Sequence, residues 1–502
     1  MRVTNSMISN NSQIHIGNAK TELMRREDQY TTQKKIQRPS DDPTVAIRSL
    51  QLRTTYAQLE QYSEKNIKDA LDWMDTTESA LKSINGILEN MKGYLNQGAN
   101  DPLDTKQRNS VLSVLQQYAK SVFEDNANAD LSGRYMFTGY RTDTSLLFTE
   151  KTENLEYEIN EHFDTTNVDT IKVVTGGANY ADGTSASAYA TQIPVENATY
   201  RIQLAYDNCS KEKITNSTQT GAVTITFSGG TIGTTPEAVT ANVLSSTDAN
   251  AYAPASGINY LYDTGELILS EEAYKRMQAT GAKLNITYAK KVFEEGDIRP
   301  EMYFECNCYD TIKQPIEPLH YADPSGQAIR YEVNFSQLGV VNTQAKDAIS
   351  TDIYRAIDYI ANMVNQVDAV DRKIADVEKK ITNSTDQTEI DNLTKLKEMF
   401  EQEKKLREGA MQQSFSKGLT MVDRTQDILN VAIADLGARY NRFELTDDKL
   451  SDQMIDTEKK LSNNEDVDIA DAYINLTQAD NLYQASLSAT AKILGNSLLN
   501  YI

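Results

Sequence analysis

Few side chains in this chain of 502 residues have the type and spacing that chemistry requires. It has three histidines, His15, His162 and His320, each isolated in sequence. A zinc hydrolase places two imidazoles on one helix face with His-Glu-x-x-His, whereas here Glu161-His162 stands alone and His320 is far away. No Gly-x-x-x-x-Gly-Lys phosphate loop occurs, and Gly176-Gly177 and Gly229-Gly230 read as turns. The three cysteines, Cys209, Cys306 and Cys308, cannot build a disulfide framework. Cys306 and Cys308 alternate with Glu305, Asn307 and Tyr309, so they share one face of a strand. Small apolar filling is their expected role, ahead of metal ligation. Nothing marks a serine nucleophile. The chain is not expected to be an enzyme, and no catalytic, cofactor or metal site is assigned.

Charge narrows the partners. The formal net charge is −22, from 50 Lys and Arg against 72 Asp and Glu, which argues against nucleic-acid binding. Arg25, Arg26, Lys34, Lys35 and Arg38 make a local basic cluster, read as a solvated helix face. The mean hydropathy is −0.54 and there is no apolar run of twenty residues, so membrane insertion is not expected. Met1–Ser6 offers no apolar core of a general secretory signal, and none is expected.

With chemistry sparse, the positioning elements carry the information. Pro39 ends an incoming helix at Arg38, and Arg38-Pro39-Ser40-Asp41-Asp42-Pro43 reads as a joint: Asp42 caps a new helix with Pro43 at its first position. Beyond it Ile67, Met74, Leu81, Leu88 and Leu95 fall every seventh residue, predicting one helix to Leu95, a length that suits a rod or fibre better than a globule. A turn at 97–102, with Gly98 near the cap and Pro102 restarting the chain, leads to a third helix over 103–131. From about 146 to 340 residues alternate as in strands, with Leu155/Tyr157/Ile159, Ile202/Leu204/Tyr206, Val223/Ile225/Phe227 and Leu284/Ile286/Tyr288. Leu261–Leu267 reads as a hairpin and Ser270–Gln278 as a short helix. Helical spacing returns near Thr343, is interrupted at 382–386, and becomes a strict heptad at Phe415, Val422, Leu429, Leu436, Phe443 and Leu450.

Two heptad segments far apart in sequence each need a partner, and pairing them is the simplest solution. The expected fold is therefore α+β and multidomain. A long antiparallel helical coiled-coil bundle is built from both termini, with a central antiparallel β insert. The expected boundaries are 1–40, 41–145, 146–342, 343–460 and 461–502. The bundle core is assigned to Ile67, Met74, Leu81, Leu88, Leu95, Phe415, Val422, Leu429, Leu436 and Phe443. The terminal helices carry thin stripes, Ile16, Leu23 and Tyr30 at one end and Leu476, Tyr483, Leu487, Leu494, Leu498 and Ile502 at the other. Stripes this thin do not sustain a free helix, so these residues are assigned to contacts with the other terminus or with neighbouring subunits.

These residues resemble the flagellin superfamily, and within it the branch that joins hook to filament. The resemblance rests on Arg38–Pro43, Thr77-Glu78-Ser79-Ala80-Leu81, Leu436-Gly437-Ala438-Arg439-Tyr440-Asn441-Arg442 and the closing Leu498–Ile502. It covers about 1–150 and 410–502, more loosely 297–343. Gly133-Arg134-Tyr135-Met136-Phe137-Thr138-Gly139-Tyr140, followed by Phe148, resembles the junction branch more than flagellin. The resemblance implies an extracellular structural subunit of the bacterial flagellum, exported through the flagellar type III apparatus with a dedicated chaperone. It further implies a ring of like subunits between hook-associated protein 1 and flagellin. The stretch 345–415 is longer than the family pattern. The alternatives are flagellin itself and a coiled-coil surface adhesin; the adhesin would not require matching helices at both termini.

Overall fold

The computed structural model describes residues 5–100, 104–177, 193–214, 217, 221–230, 236–248, 250–313 and 315–499, with backbone only for Asn5 and 493–499. In chain order the helices are α1 (Asn5–Thr32), α2 (Pro43–Gln61), α3 (Lys68–Ala99), α4 (Thr105–Lys120), α5 (Glu271–Thr280), α6 (Ala345–Ala348), α7 (Asp352–Asn383), α8 (Gln387–Glu465) and α9 (Ile469–Leu499). The strands are β1 (Asp130–Leu131), β2 (Arg134–Tyr135), β3 (Leu155–Phe163), β4 (Asp169–Thr175), β5 (Val195–Gln203), β6 (Val223–Ser228), β7 (Glu237–Ala238), β8 (Ala241–Leu244), β9 (Ile258–Leu261), β10 (Glu266–Leu269), β11 (Lys283–Lys290), β12 (Glu305–Asp310), β13 (Pro318–Tyr321), β14 (Arg330–Asn334) and β15 (Gln337–Val340). The chain divides into two compact units, one of Met1–Leu71, Tyr331–Gly339 and Asn441–Ile502, the other of Asp72–Arg330 and Val340–Tyr440.

In the first unit α1 packs along α9. The seam is made of small side chains: Ser12 and Ala19 are buried on α1, and Ala472, Ala479 and Thr490 on α9. The helix expected to run unbroken from Pro43 to Leu95 is interrupted by a π-helical turn at Tyr62–Ile67. Its residues have partners that a plain helix would misplace. Asn66 Nδ2 donates to Glu332 O at 2.8 Å and Ser63 Oγ to Asp447 Oδ1 at 2.5 Å. The Tyr62 ring meets Phe335 edge-on at 5.4 Å. The β14–β15 hairpin thereby seats on the turn, and Gly339 lies so close to the Phe443 ring that a Cβ there would collide with it. Leu59, Ile67, Ala70, Val333, Phe443 and Leu450 are buried in this unit.

In the second unit the heptads of α3 face those of α8. Asn85 accepts from Gln426 at 2.7 Å, Lys92 pairs with Asp423, Leu95 lies beside Gly418, and Gly98 lies against the Phe415 ring. The numbers rise on one helix as they fall on the other, so the pairing is antiparallel. Met74, Leu81, Leu88, Leu95, Phe415, Val422, Leu429 and Leu436 are all buried. Buried Arg108 closes the end of α3 by donating to Gly98 O at 3.1 Å and Asn100 O at 2.9 Å. Pro102, expected to restart the chain, lies outside the described residues; Asp104 starts α4 through a capping box with Gln107. The stretch read as one helix over 103–131 ends earlier, in a second π-helical turn at Ser121–Ala127. The interruption at 382–386 is the turn of an α7–α8 hairpin around Val370, Val377, Leu393, Leu396 and Phe400.

The β insert holds two sheets, ordered β4-β5-β10-β9-β8 and β13-β12-β3-β11-β6-β7. The strand pairings of the insert are antiparallel as expected, except that β8 pairs parallel to β9. Leu204 and Tyr206, read as strand, lie beyond β5, where Tyr206 Oη donates to Ile298 O at 2.9 Å. The sheets share one core that includes Tyr157, Ile159, Ile202, Tyr260, Leu267 and Tyr288, with Met277 of α5. Cys306 and Cys308 are part of it, and burial pushes the Cys308 thiol up to about 11 and the Cys306 thiol up as well. Both stay protonated thiols, as packing atoms do.

Two arginines fasten the insert to α7. Arg201 of β5 is fully buried, 2.8 Å from Glu266 Oε1 and stacked 3.9 Å above the Tyr359 ring. Arg355 of α7 donates through Nε to Leu204 O at 2.8 Å, through Nη2 to Thr264 O, and pairs with Asp358 at 2.9 Å. The Gly133–Tyr140 run ties the outgoing chain to the returning one: Ala345 N donates to Phe137 O at 2.9 Å and Tyr140 N to Gln327 Oε1 at 3.0 Å. Since Glu266 would be left buried without its counter-charge, holding only the hydroxyls of Tyr252 and Thr264, Arg201→Ala should destabilise the second unit by about 3–5 kcal/mol. Pairing it with Glu266→Leu should recover part of that loss. Urea unfolding of the two variants checks both.

Candidate assembly face and its joint

The cap at the double aspartate is divided between its two carboxylates. Asp42 Oδ1 accepts from Thr44 N at 3.0 Å and Val45 N at 3.2 Å, and Pro43 takes the first helical position. Asp41 faces backward, accepting from Arg38 N at 2.8 Å and Gln37 N at 3.1 Å, while its own N–H donates to Arg38 O at 3.0 Å. Pro39 and Ser40 form the turn between them. One carboxylate starts the helix and the other closes the turn before it.

The tighter joint lies a few residues earlier and was not foreseen. Gln33–Lys35 pair side by side with Glu465–Val467: Lys35 N donates to Glu465 O at 2.7 Å and Val467 N to Gln33 O at 3.0 Å. Gln33 has φ +58, a left-handed conformation that costs a residue with a side chain and is held here by the pairing. Arg53 of α2 grips the nearly buried Glu465 with two bonds, Nε to Oε1 at 2.8 Å and Nη2 to Oε2 at 2.7 Å. Lys34 Nζ lies 2.5 Å from Asp466 Oδ1 and 3.4 Å from Glu465 Oε2. Asn464 Nδ2 adds bonds to Val45 O at 3.0 Å and Ser49 Oγ at 2.7 Å. Thus Lys34 and Lys35 are clasp residues rather than a solvated face. Arg25 does lie on an exposed face, 3.7 Å from Glu22. The signal was present as Lys34-Lys35 after one terminal helix and Glu465-Asp466 before the other, opposite charges at matching ends.

The charges are tuned accordingly. Hydrogen bonding to Arg53 holds the Glu465 carboxyl below its ordinary 4.5, and the bond to Lys34 holds Asp466 below 3.8. The same bond to Asp466 raises Lys34.

Outside the seam the terminal pair is apolar and open. Ile16, Leu23, Leu476 and Tyr483 are half-buried between the helices, whereas Tyr30 and Leu487 are exposed. With them stand Met7, Ile14, Met24, Ile469, Tyr473, Ile474 and Leu482, the last 58% exposed. The side chains of Leu494 and Leu498, and Ile502 entirely, lie outside the described residues. Among the described residues no cluster of His, Cys, Asp and Glu could hold a metal ion, and no helix is long and apolar enough to cross a membrane.

Profiles of known families meet the chain at both ends of this arrangement. The bacterial flagellin N-terminal helical region matches residues 3–142, and the bacterial flagellin C-terminal helical region matches 419–502. Over these two terminal regions the chain is similar to bacterial flagellins. Flagellar hook-associated protein 3 of Escherichia coli (strain K12) is 28% identical over 151 residues, 30% of this chain and 47% of that protein. Its Salmonella typhimurium namesake is 27% identical over 145 residues, 29% of this chain and 45% of that one. The chain thus spans about half the length of the curated relatives it matches. A crystal structure of FlgL from Xanthomonas campestris aligns with 82% of this chain and 99% of its own, at 11% identity and a TM-score of 0.33.

The clasp has a defined response to acid. The depressed Glu465 and Asp466 contribute stability that is complete above their ordinary values of 4.5 and 3.8 and is lost as pH falls through the depressed folded values. Glu465→Gln should therefore speed protease cleavage at 33–37 and 465–468 at pH 7 without lowering the main unfolding transition. Acidification below about pH 4 should reproduce that cleavage pattern in the unsubstituted chain. Limited proteolysis read by mass spectrometry, with circular dichroism melts alongside, tests both.

Proposed function

We propose that this chain is a structural subunit of the bacterial flagellum, assembled at the junction between hook and filament. The observation that carries the reading is the pair of terminal helices. They belong to the two regions matched by the flagellin profiles, pack together through small residues, and leave their large apolar side chains outward. Exposed large apolar side chains gathered on one element are a mark of an interaction surface. In this reading the outward residues pack against the same helices of neighbouring subunits, which form a ring between hook-associated protein 1 below and flagellin above. The subunit reaches that position outside the cell through the flagellar type III export apparatus, delivered by an export chaperone. Its role is structural, and no catalysis is assigned to it. The reading as a filament subunit is the weaker one, because both matched relatives are named hook-associated protein 3 and not flagellin.

Cells lacking the chain should still build hooks but shed flagellin into the medium; normal filaments on such cells would overturn the proposal. Because Leu482 and Leu487 are already 58% and 42% exposed, Leu482→Asp and Leu487→Asp should leave the free subunit's helicity and melting unchanged. Buried in a packed assembly, the same carboxylates would lack partners, so incorporation into filaments should fall to background. Electron microscopy of the cells, with circular dichroism of the purified variants, reads both outcomes.

A further inference from the structure

Glu161 is a glutamate on β3 with almost no exposure, inside the β insert. One of its oxygens does two tasks. Oε1 accepts the Tyr288 hydroxyl of β11 at 2.5 Å and the Ala205 N–H, from the turn after β5, at 3.1 Å. The bond to Ala205 joins the six-stranded sheet to the end of β5 in the five-stranded one. No cation is committed to this carboxylate. The nearest guanidinium, Arg355, is taken up by Leu204 O, Thr264 O and Asp358. Lys290, on the far side of the turn, donates to Asp207 O at 2.8 Å.

Arg355 favours a negative charge on Glu161 only across space, and the remaining groups around it do not favour one. Asp352 faces it from α7, and Tyr206 and Tyr260 lie on the core side. Asp207 sits in the turn itself, with Asp297 and Asp358 beyond it around Lys290 and Arg355. On its other side Glu161 lines a cavity of about 360 Å³ together with His162, Tyr303, Glu305, Asp323 and Lys346. Phe304, Ile349 and Ile428 make its lining mixed, and it is large enough for several waters.

We propose that Glu161 is a proton switch: neutral, it holds the Ala205–Asp207 turn against β3, and ionised, it lets the turn loosen so that water reaches the carboxylate from the adjoining cavity. A neutral carboxylic acid keeps both accepted bonds on Oε1 and turns its own O–H toward the cavity. An anion in the same place has two donors and no cation bonded to it, only the attraction of Arg355 across space, and is relieved further by solvent. The acidity agrees: burial pushes the Glu161 carboxyl up to about 7 from 4.5, against the bonds from Tyr288 and Ala205, which pull it down. With the folded value raised, the contribution of Glu161 to stability is fully present below 4.5 and is lost as pH rises through about 7. This window is opposite to that of the Glu465–Asp466 clasp, so the two responses do not mask each other. The inference does not depend on where in the flagellum the chain resides.

Hydrogen exchange by mass spectrometry on the full chain, corrected for intrinsic base catalysis, is the test. Between pH 5.5 and 8.5 protection of the 204–209 amides should fall about thirtyfold, the change expected when a carboxyl at about 7 in the closed turn returns to 4.5 in the loosened one. Amides of α3 should not change. Glu161→Gln, which keeps the accepting oxygen without the charge, should hold the turn equally well at both pH values. Tyr288→Phe removes a donor to the anion and should move the midpoint to higher pH. Equal protection of the unsubstituted chain at both pH values would overturn the proposal. So would an undiminished pH response in Glu161→Gln, and Tyr288→Phe tells an electrostatic role from a packing role even if the glutamine variant is unstable.

Discussion

The apolar stripe of one end of this chain is covered by the other end. Met74, Leu81, Leu88 and Leu95 face a helix whose matching residues, Phe415 to Leu436, follow more than three hundred positions later. Neither helix can bury its stripe locally, and a heptad helix left without a partner is marginal in water. Everything between the two must therefore leave the bundle and return to it. That is why the β insert is an insertion, and why its entry at 133–148 and its exit at 324–345 are bonded to each other, as Phe137 O to Ala345 N and Tyr140 N to Gln327. Closing so long a loop makes folding a late, long-range event.

The insert also needs a fixed orientation, which apolar contact alone does not supply. Arg201 and Arg355 provide it through directional bonds: one guanidinium pairs with Glu266 over the Tyr359 ring, and the other is threaded between Leu204 O, Thr264 O and Asp358. A buried ion pair adds little net stability compared with apolar packing, but it penalises every misaligned arrangement in which a charge is left alone. The same economy of cations leaves Glu161 without one. Two buried positive groups, Arg355 and Lys290, serve a region that also holds Asp207, Asp297, Asp352 and Asp358.

What was legible in the sequence is what short-range physics writes there. The heptads are period-seven patterns, the Asp42-Pro43 start is a local cap, and the hairpin at Leu261–Leu267 is a turn between β9 and β10. The illegible features take their reason from a distant partner. The π turn at Tyr62–Ile67 answers to Glu332, Phe335 and Asp447, none near it in sequence. The parallel placement of β8 beside β9 follows from sheet order, which alternation cannot encode. The clasp needs Lys34 and Glu465 together across 431 positions. A basic cluster read by itself is a solvated face; read beside its acidic counterpart it is a joint.

The terminal helices invert the usual reading of an amphipathic stripe. The most buried positions of the seam are small, Ser12, Ala19, Ala472 and Ala479, with the larger Ile16, Leu23, Leu476 and Tyr483 only half-buried. Small residues let two helices approach closely but bury little apolar area, so this pair gains little from its own contact. The side chains with most to gain, among them Met7, Ile14, Met24, Ile474 and Leu482, are more than half exposed. At about 1.5–3 kcal/mol for each large side chain buried, covering five of them is worth on the order of 10 kcal/mol. That is comparable to the stability of a whole domain. A pair built this way is poorly stabilised by itself and strongly stabilised by neighbours. It then needs something other than apolar burial to hold it in register until those neighbours arrive. The clasp of Lys34 and Arg53 on Glu465 and Asp466 fits that need, because a bidentate ion pair fixes direction at little cost in exposed apolar surface.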